Sequence, residues 1–412
     1  MFAGSDPQAF ISLRVGGMVA AAVATAMLIG SPAFIELSSS CVLEIPGLAP
    51  GVLALAVLVV GRKVSALRPV IAGTLFTIGF LIKPNSLPLL PVAVLVLWRR
   101  REKTEASAKR LRDPLVLFLF SLALTYALFG WLIGKGACFS HFQQSWVSHL
   151  GPVRSLEYGS PNDHPFDWSI LVKNWDATIA AVFGICFALS RLMSRRPTKS
   201  REVLAPTDVG GYDGYIVPLA WLLLALSVFA IHRPWWPYYY IHIAVPLCLC
   251  AGVGIAAVWQ WAWAKRAWIP LTVLGLYVLG GGAWMAGRLY LQISGIRNSP
   301  QIYTELMLQD IGRLKPFTKW MYASQPIYSF HAGIPMPPNL AVLSLKRFWS
   351  GQMSDERVAA EMRKFKPGLV LLANDARELP FTDLIQREYR LIYQDATHNL
   401  YAHKEVLAQA KE

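Results

Sequence analysis

Apolar positions along this chain come in long runs rather than in the stripes of an amphipathic soluble fold. Runs near 15–36, 43–60, 69–82, 86–98, 114–134, 169–190, 215–231, 240–262 and 267–287 are almost free of charge, and polar residues gather between them. A helix rises about 1.5 Å per residue, so roughly 20 apolar residues cross about 30 Å of hydrocarbon. The pattern predicts an α-helical polytopic membrane protein of about nine spans. The run 69–82 is too short to cross, and it ends in Lys83-Pro84-Asn85. It predicts a helix that stops at a wet cavity at bilayer depth, where a charge is costly and marks a functional candidate.

From about residue 289 the pattern changes. Residues 300–412 carry charge throughout, with short strand-like runs QPIYSF (325–330), GLVLLAN (368–374), YRLIYQD (389–395) and LYAHK (400–404). Between the first two lies SDERVAAEMRKF (354–365). Its Asp355 and Glu356 suit a helix start, and Val358, Met362 and Phe365 fall at helical spacing. A strand, a helix, a strand and a hairpin predict a small α/β domain. The division expected is 1–288 for the membrane domain and 289–412 for the α/β domain. The tail shows no nucleophile motif and no Gly-rich phosphate loop.

Composition agrees with the pattern. The chain is 54% hydrophobic and only 16% charged, with mean hydropathy +0.40, where a soluble domain carries about 25% charged residues. Charge then orients it. In alternate loops one set holds eighteen Lys and Arg: Arg14, the 62–68 cluster, seven in 99–112, five in 191–201, and Lys265 with Arg266. The other set holds five: Lys83, Lys135, Arg154, Lys173 and Arg233. The positive-inside rule puts the first set, and the N-terminus, in the cytoplasm and the C-terminal domain on the extracytoplasmic side. The chain is therefore expected in the plasma (inner) membrane. The net charge of +14 is spread over these loops, which argues against a nucleic-acid partner. Cys41, Cys138, Cys186, Cys248 and Cys250 form no CxxC or zinc spacing, so no metal ligand is assigned.

With that topology the unusual polar groups collect on the outer side. They are Glu36 and Glu44, the Lys83-Pro84-Asn85 helix end, the long loop 135–168, and HRPWWPYYYIH at 232–242. The last packs two Trp, three Tyr, two His and an Arg into one short segment. It reads either as an interfacial aromatic belt or as the wall of a site.

Three stretches carry a family resemblance. IAGTLFTIGFLIKPNSLPLLP (71–91), SPAFIELSSSCVLEIPG (31–47) and HRPWWPYYYIHIAVPL (232–247) resemble the integral-membrane GT-C glycosyltransferases. The group is that of the dolichyl-phosphate-mannose protein mannosyltransferases and aminoarabinose-transferase-like enzymes of bacteria. The resemblance covers about 15–290. It implies transfer of a sugar from a polyprenyl-phosphate donor to a lipid, glycan or protein acceptor on the outer face of the membrane, with the bilayer and the lipid donor as partners. The chemistry needs a carboxylate as general base, cations for the departing phosphate and an apolar groove for the isoprenoid.

Carried onto this chain, the resemblance implies Lys83 and Arg233 as phosphate partners. Asn85, His232, Tyr238, Tyr239, Tyr240 and His242 are further substrate contacts. No cofactor is implied, and a divalent cation is compatible with the chemistry. One departure matters. The family's catalytic acid lies in a first outer loop that this chain lacks, since spanning sequence begins almost at Met1. Glu44, at a later acidic position, becomes the catalytic candidate, with Glu36 beside it. An N-terminally truncated chain is the expectation favoured by that abrupt start. A non-catalytic scaffold and a lipid-linked-sugar transporter are the competing readings, the transporter opposed by the lack of internal repeats.

Overall fold

The computed structural model describes residues 7–38, 43–59, 65–102, 113–143, 165–193, 213–232, 235–298, 303–343, 347–348, 351–374 and 379–411; side chains are further restricted within 7–16, at 85, 100–102 and 191–192, and in 213–215. The chain divides into two compact units. One runs to Phe139 and resumes from Glu157 to Arg297; the other takes Asn298 onward with a piece beginning at Ser140.

The first unit is helical. Its elements are α1 (Pro7–Ile29), α2 (Pro32–Ser38), α3 (Glu44–Val59), α4 (Leu67–Ile82), α5 (Leu89–Glu102), α6 (Pro114–Ile133), α7 (Lys135–Phe142), α8 (Ser169–Lys173), α9 (Trp175–Met193), α10 (Asp213–Ile231), α11 (Ile241–Ala264) and α12 (Trp268–Arg297). Among the described residues three stretches are long and apolar enough to cross a membrane: Pro114–Ile133, Pro237–Ala264 and Trp268–Arg297. They play different parts. The window in Pro237–Ala264 is 94% buried inside the protein, whereas those of the other two are 11% buried. Pro237–Ala264 is therefore the hub of the bundle, and the other two present apolar side chains such as Trp131, Ile269 and Leu279 outward. The apolar helices make this a membrane protein.

Two expected spans are interrupted. The run 15–36 bends by 63° between Gly17–Ile29 and Pro32–Ser38. Pro32 has no N–H to continue the ladder and is suited to the first turn of a new helix. The run 169–190 breaks at Asn174, which separates α8 from α9. Glu44–Val59, Leu67–Ile82, Leu89–Arg99, Trp175–Ser190 and Ile216–Ile231 are shorter apolar helices. At the other end α12 stays helical past 288 to Arg297.

Glycines set the closest crossings. A Cβ on Gly79 would lie 2.6 Å from the Gly47 carbonyl oxygen, and one on Gly47 would lie 2.8 Å from Lys83 Cβ. Only a bare backbone lets α3 and α4 pack this tightly, the small-residue solution usual where lipid supplies no hydrophobic drive. Between α4 and α6, hydroxyls bridge the helices. Ser121 Oγ donates to Val70 O at 2.7 Å and lies 3.0 Å from Thr74 Oγ1, and Thr77 Oγ1 reaches Leu122 O at 3.3 Å.

The second unit holds α13 (Glu305–Leu314), β1 (Met321–Ala323), α14 (Pro326–Ala332), α15 (Asp355–Phe365), β2 (Leu369–Ala373), α16 (Thr382–Glu388), β3 (Tyr389–Gln394), β4 (His398–His403) and α17 (Lys404–Gln409). The sheet order is β1-β2-β4-β3, with β1–β2 parallel and the other pairs antiparallel. Met307, Ile311 and Tyr328 pack on one face with Leu369, Leu371 and Leu400. Val358, Met362, Leu384 and Ile385 pack on the other with Val370 and Leu372. Helix α15 forms where its spacing predicted, with Ser354 Oγ accepting from Arg357 N–H. QPIYSF does not form a strand. Pro326 opens α14, whose end is capped by Gly333 in the left-handed region, and the first strand lies just upstream.

Candidate functional site

The α3–α4 crossing builds the site. Glu44 is the first residue of α3 and is buried at 1% exposure, with its carboxylate at the positive end of the helix dipole. Lys83 follows the last residue of α4. Its backbone turns extended, φ −155° and ψ 126°, and Pro84 begins a tight 3-10 turn to Ser86. Glu44 and Gly47 lie one turn apart on α3, as do Gly79 and Lys83 at the end of α4. The glycine contact that brings the helices together therefore also brings Lys83 Nζ onto Glu44 Oε1 as an ion pair.

The pair is asymmetric. The Glu44 side chain is fully buried at 0% exposure, whereas 22% of the Lys83 side chain stays open. Glu44 Oε2 is sealed from solvent and has no hydrogen-bond partner among the described residues. Lys83 Nζ also stands 5.1 Å from the centroid of the Tyr238 ring, a cation–π distance.

The aromatic stretch is mostly core rather than belt. Trp235, Tyr239, Tyr240 and His242 are all below a tenth exposed. Phe229 organises them. It stacks on His242 at 5.0 Å, tilts against Tyr239 at 5.4 Å and meets Trp235 edge-on at 6.3 Å. Tyr239 in turn meets His232 at 5.1 Å and Tyr238 at 4.7 Å, and Trp236 lies parallel to Tyr238. Phe166, after the long loop, closes on Trp235 at 4.6 Å. Among the described residues His242 Nε2 is buried without a hydrogen-bond partner.

The expected site residues thus separate. Glu44, Lys83 and Tyr238 share one neighbourhood, and His232, Tyr239 and His242 join it through the Phe229 cluster. Tyr240 is buried at the end of the Pro237–Tyr240 turn. Glu36 is exposed on α2. Asn85 lies in the 3-10 turn, its side chain outside the described residues, and Arg233 lies outside them altogether. Among the described residues no group of three or more His, Cys, Asp or Glu could hold a metal ion.

Asp176 and Arg288 were not singled out from the sequence. Asp176 sits in the first turn of α9 and is buried, Arg288 lies on α12 with 14% of its side chain exposed, and the guanidinium bridges both carboxylate oxygens at 3.3 and 3.1 Å. Arg288 also donates to Gly30 O at 2.9 Å and Lys173 O at 3.3 Å, and the Tyr277 hydroxyl donates to the Asp176 carbonyl. The available signal was an acid inside the run 169–190 and a base just past the run 267–287. Their pairing across more than a hundred residues was not readable.

No family model matches the chain, and no curated protein matches it by sequence. A solved structure does match. The crystal structure of ArnT from Cupriavidus metallidurans bound to undecaprenyl phosphate superposes with a TM-score of 0.58 over 96% of this chain and 81% of that one, at 12% identity. The chain shares the fold of that ArnT structure, and the sequence resemblance to the aminoarabinose-transferase-like group pointed to the same fold.

Proposed function

We propose that the protein transfers a sugar from a polyprenyl-phosphate donor to an acceptor on the outer face of the membrane. The observation that carries this reading is a buried carboxylate joined to a partly open ammonium at a helix break among apolar helices. A lipid-anchored phosphate needs a cation at bilayer depth, because phosphate charge left uncompensated in a low-dielectric setting is costly. The neighbour's bound undecaprenyl phosphate supports the same class of ligand.

In this reading Lys83 holds the donor phosphate, with Arg233 and Asn85 as further partners, and Glu44 takes the proton from the acceptor. The acceptor oxygen bonds to the sugar's anomeric carbon as the carbon–phosphate-oxygen bond breaks. The polyprenyl phosphate leaves with the electron pair of that bond. His232, Tyr238, Tyr239, Tyr240 and His242 line or brace the donor side. The shorter apolar helices and the bent α1–α2 pair complete about nine spans in the plasma membrane, with a cytoplasmic N-terminus. Residues up to about 288 form the transferase domain, and the α/β unit lies outside the cell membrane.

The test is transfer from a panel of radiolabelled polyprenyl-phosphate sugars in proteoliposomes. Lys83→Ala and Glu44→Gln are each expected to lower the rate by about 10²-fold or more, the scale of a general base or a phosphate clamp. Wild-type rates in both variants would overturn the assignment. Full binding of the lipid phosphate with no transfer to any acceptor would favour the scaffold reading.

A further inference from the structure

The arrangement that supports the proposed function also blocks it. Glu44 cannot act as a base while one oxygen is held by Lys83 and the other is sealed in the packing. Lys83 likewise offers less to a phosphate while it neutralises Glu44. The two halves of the pair differ in access, since the ammonium is partly open and the carboxylate is not. An arriving anion meets Lys83 first.

We propose that the Glu44–Lys83 ion pair is a latch: the lipid phosphate competes with Glu44 for Lys83 and so frees the carboxylate that deprotonates the acceptor. This rests on the proposed function and deepens it. Charge bookkeeping supports the exchange. A phosphodiester donor carries one negative charge, so with Lys83 and ionised Glu44 the three groups sum to minus one. After transfer the polyprenyl phosphate monoester carries a second charge, while Glu44 has gained the acceptor's proton and is neutral. The sum is still minus one. The burial cost of net charge therefore does not rise during the reaction, and the cation passes from carboxylate to phosphate as each needs it.

The latch keeps the base idle when no donor is bound. Its pivot is a close crossing, where Gly47 and Gly79 bring the two backbones into contact. The side chains must exchange partners rather than the helices separate. Tyr238, with its ring beside Lys83 Nζ, gives the ammonium a face to rest on during the exchange.

The test is the affinity of undecaprenyl phosphate for the purified full chain in detergent, by native mass spectrometry or a fluorescence-based titration. A ligand whose competent state is populated a tenth of the time or less binds correspondingly weakly, so removing the competitor raises affinity by about tenfold or more. Glu44→Gln is expected to bind at least about tenfold tighter than wild type while losing transfer. Lys83→Met is expected to lose binding, and Glu44→Gln with Lys83→Met together to show no gain over Lys83→Met alone. Should Glu44→Gln not purify folded, Glu44→Asp, which withdraws the carboxylate by one methylene, is expected to shift affinity in the same direction. Lys83-dependent binding that Glu44→Gln or Glu44→Asp leaves equal or weaker overturns the latch and leaves the proposed function standing. Absence of binding in wild type and every variant overturns both.

Discussion

Two ion pairs in the helical unit, each with a buried carboxylate, use the same materials to opposite ends. Glu44 and Asp176 both sit in the first turn of a helix, and each meets a cation from another helix end or span. Asp176 spends both carboxylate oxygens on the planar guanidinium of Arg288, which also ties down Gly30 O at the α1–α2 break and Lys173 O at the end of α8. Glu44 spends one oxygen on a point-charge ammonium and leaves the other bare among the described residues. Arginine's fork suits a fixed bidentate bond, whereas lysine's flexible stem lets its charge move between partners. The first pair fastens four segments of the bundle. The second is free to change partners.

That contrast breaks most visibly in stability. Asp176→Ala strands a mostly buried guanidinium and is expected to cost about 3–5 kcal/mol, seen as a lowered unfolding midpoint of the detergent-solubilised chain. Asp176→Ala with Arg288→Met should recover most of the loss. An Asp176→Ala cost no larger than that of Glu44→Gln would erase the distinction between the pairs.

Next in size is the crossing that aligns the second pair. Gly79→Ala puts a Cβ 2.6 Å from Gly47 O and is expected to cost about 1–3 kcal/mol by overpacking, with weakened lipid-phosphate binding as Glu44 and Lys83 part. Gly275→Ala on α12, where a Cβ meets nothing within 4 Å, should instead be neutral or stabilising by up to about 1 kcal/mol. Equal effects would show that helix propensity and not the close crossing governs Gly79.

Glu44→Gln itself is expected to cost only about 1–2 kcal/mol, because the Lys83 it leaves behind is partly solvated. Its larger effect is on ligand affinity.

The smallest effect lies in the α/β unit, where an acid is held in water rather than in the bundle. Asp395 Oδ1 accepts from Thr397 N–H, the Thr397 hydroxyl and His398 N–H at 2.7, 2.9 and 2.7 Å. Partial burial pushes its carboxyl up, but these hydrogen bonds outweigh it and leave the carboxyl below its ordinary value. A carboxyl lowered on folding stabilises the fold above its unfolded pKa of about 3.9, and that stability is lost as pH falls through the lower folded value. Asp395→Asn is expected to cost about 1 kcal/mol at neutral pH and to flatten the acid limb of the melting profile. An unchanged acid limb would remove Asp395 from that role.

Much of the fold was legible because its signals are local. The charge-poor runs located the helices, and the early stop at Lys83-Pro84-Asn85 followed from proline's missing N–H. The hairpin of β3 and β4 and the helix α15 followed from alternation and spacing. QPIYSF misled for an equally local reason, since its β-prone residues are overruled by a proline placed to start a helix. The bend after Ile29 was hidden because Pro32 lies inside an otherwise continuous apolar run.

The sequence by itself determined that this chain is a membrane protein, where its polar residues interrupt the apolar runs, and that Lys83 closes a short helix among them. It also marked Glu44 and the aromatic stretch as unusual. Only the tertiary structure decided that Glu44 and Lys83 meet, that the aromatic stretch is largely core, that Asp176 pairs with Arg288, and that one carboxylate uses both oxygens on its partner while the other uses one. Apolarity is a property of each residue and can be read one position at a time. A partner is a property of packing, set here by glycines whose effect is felt only when two distant backbones touch.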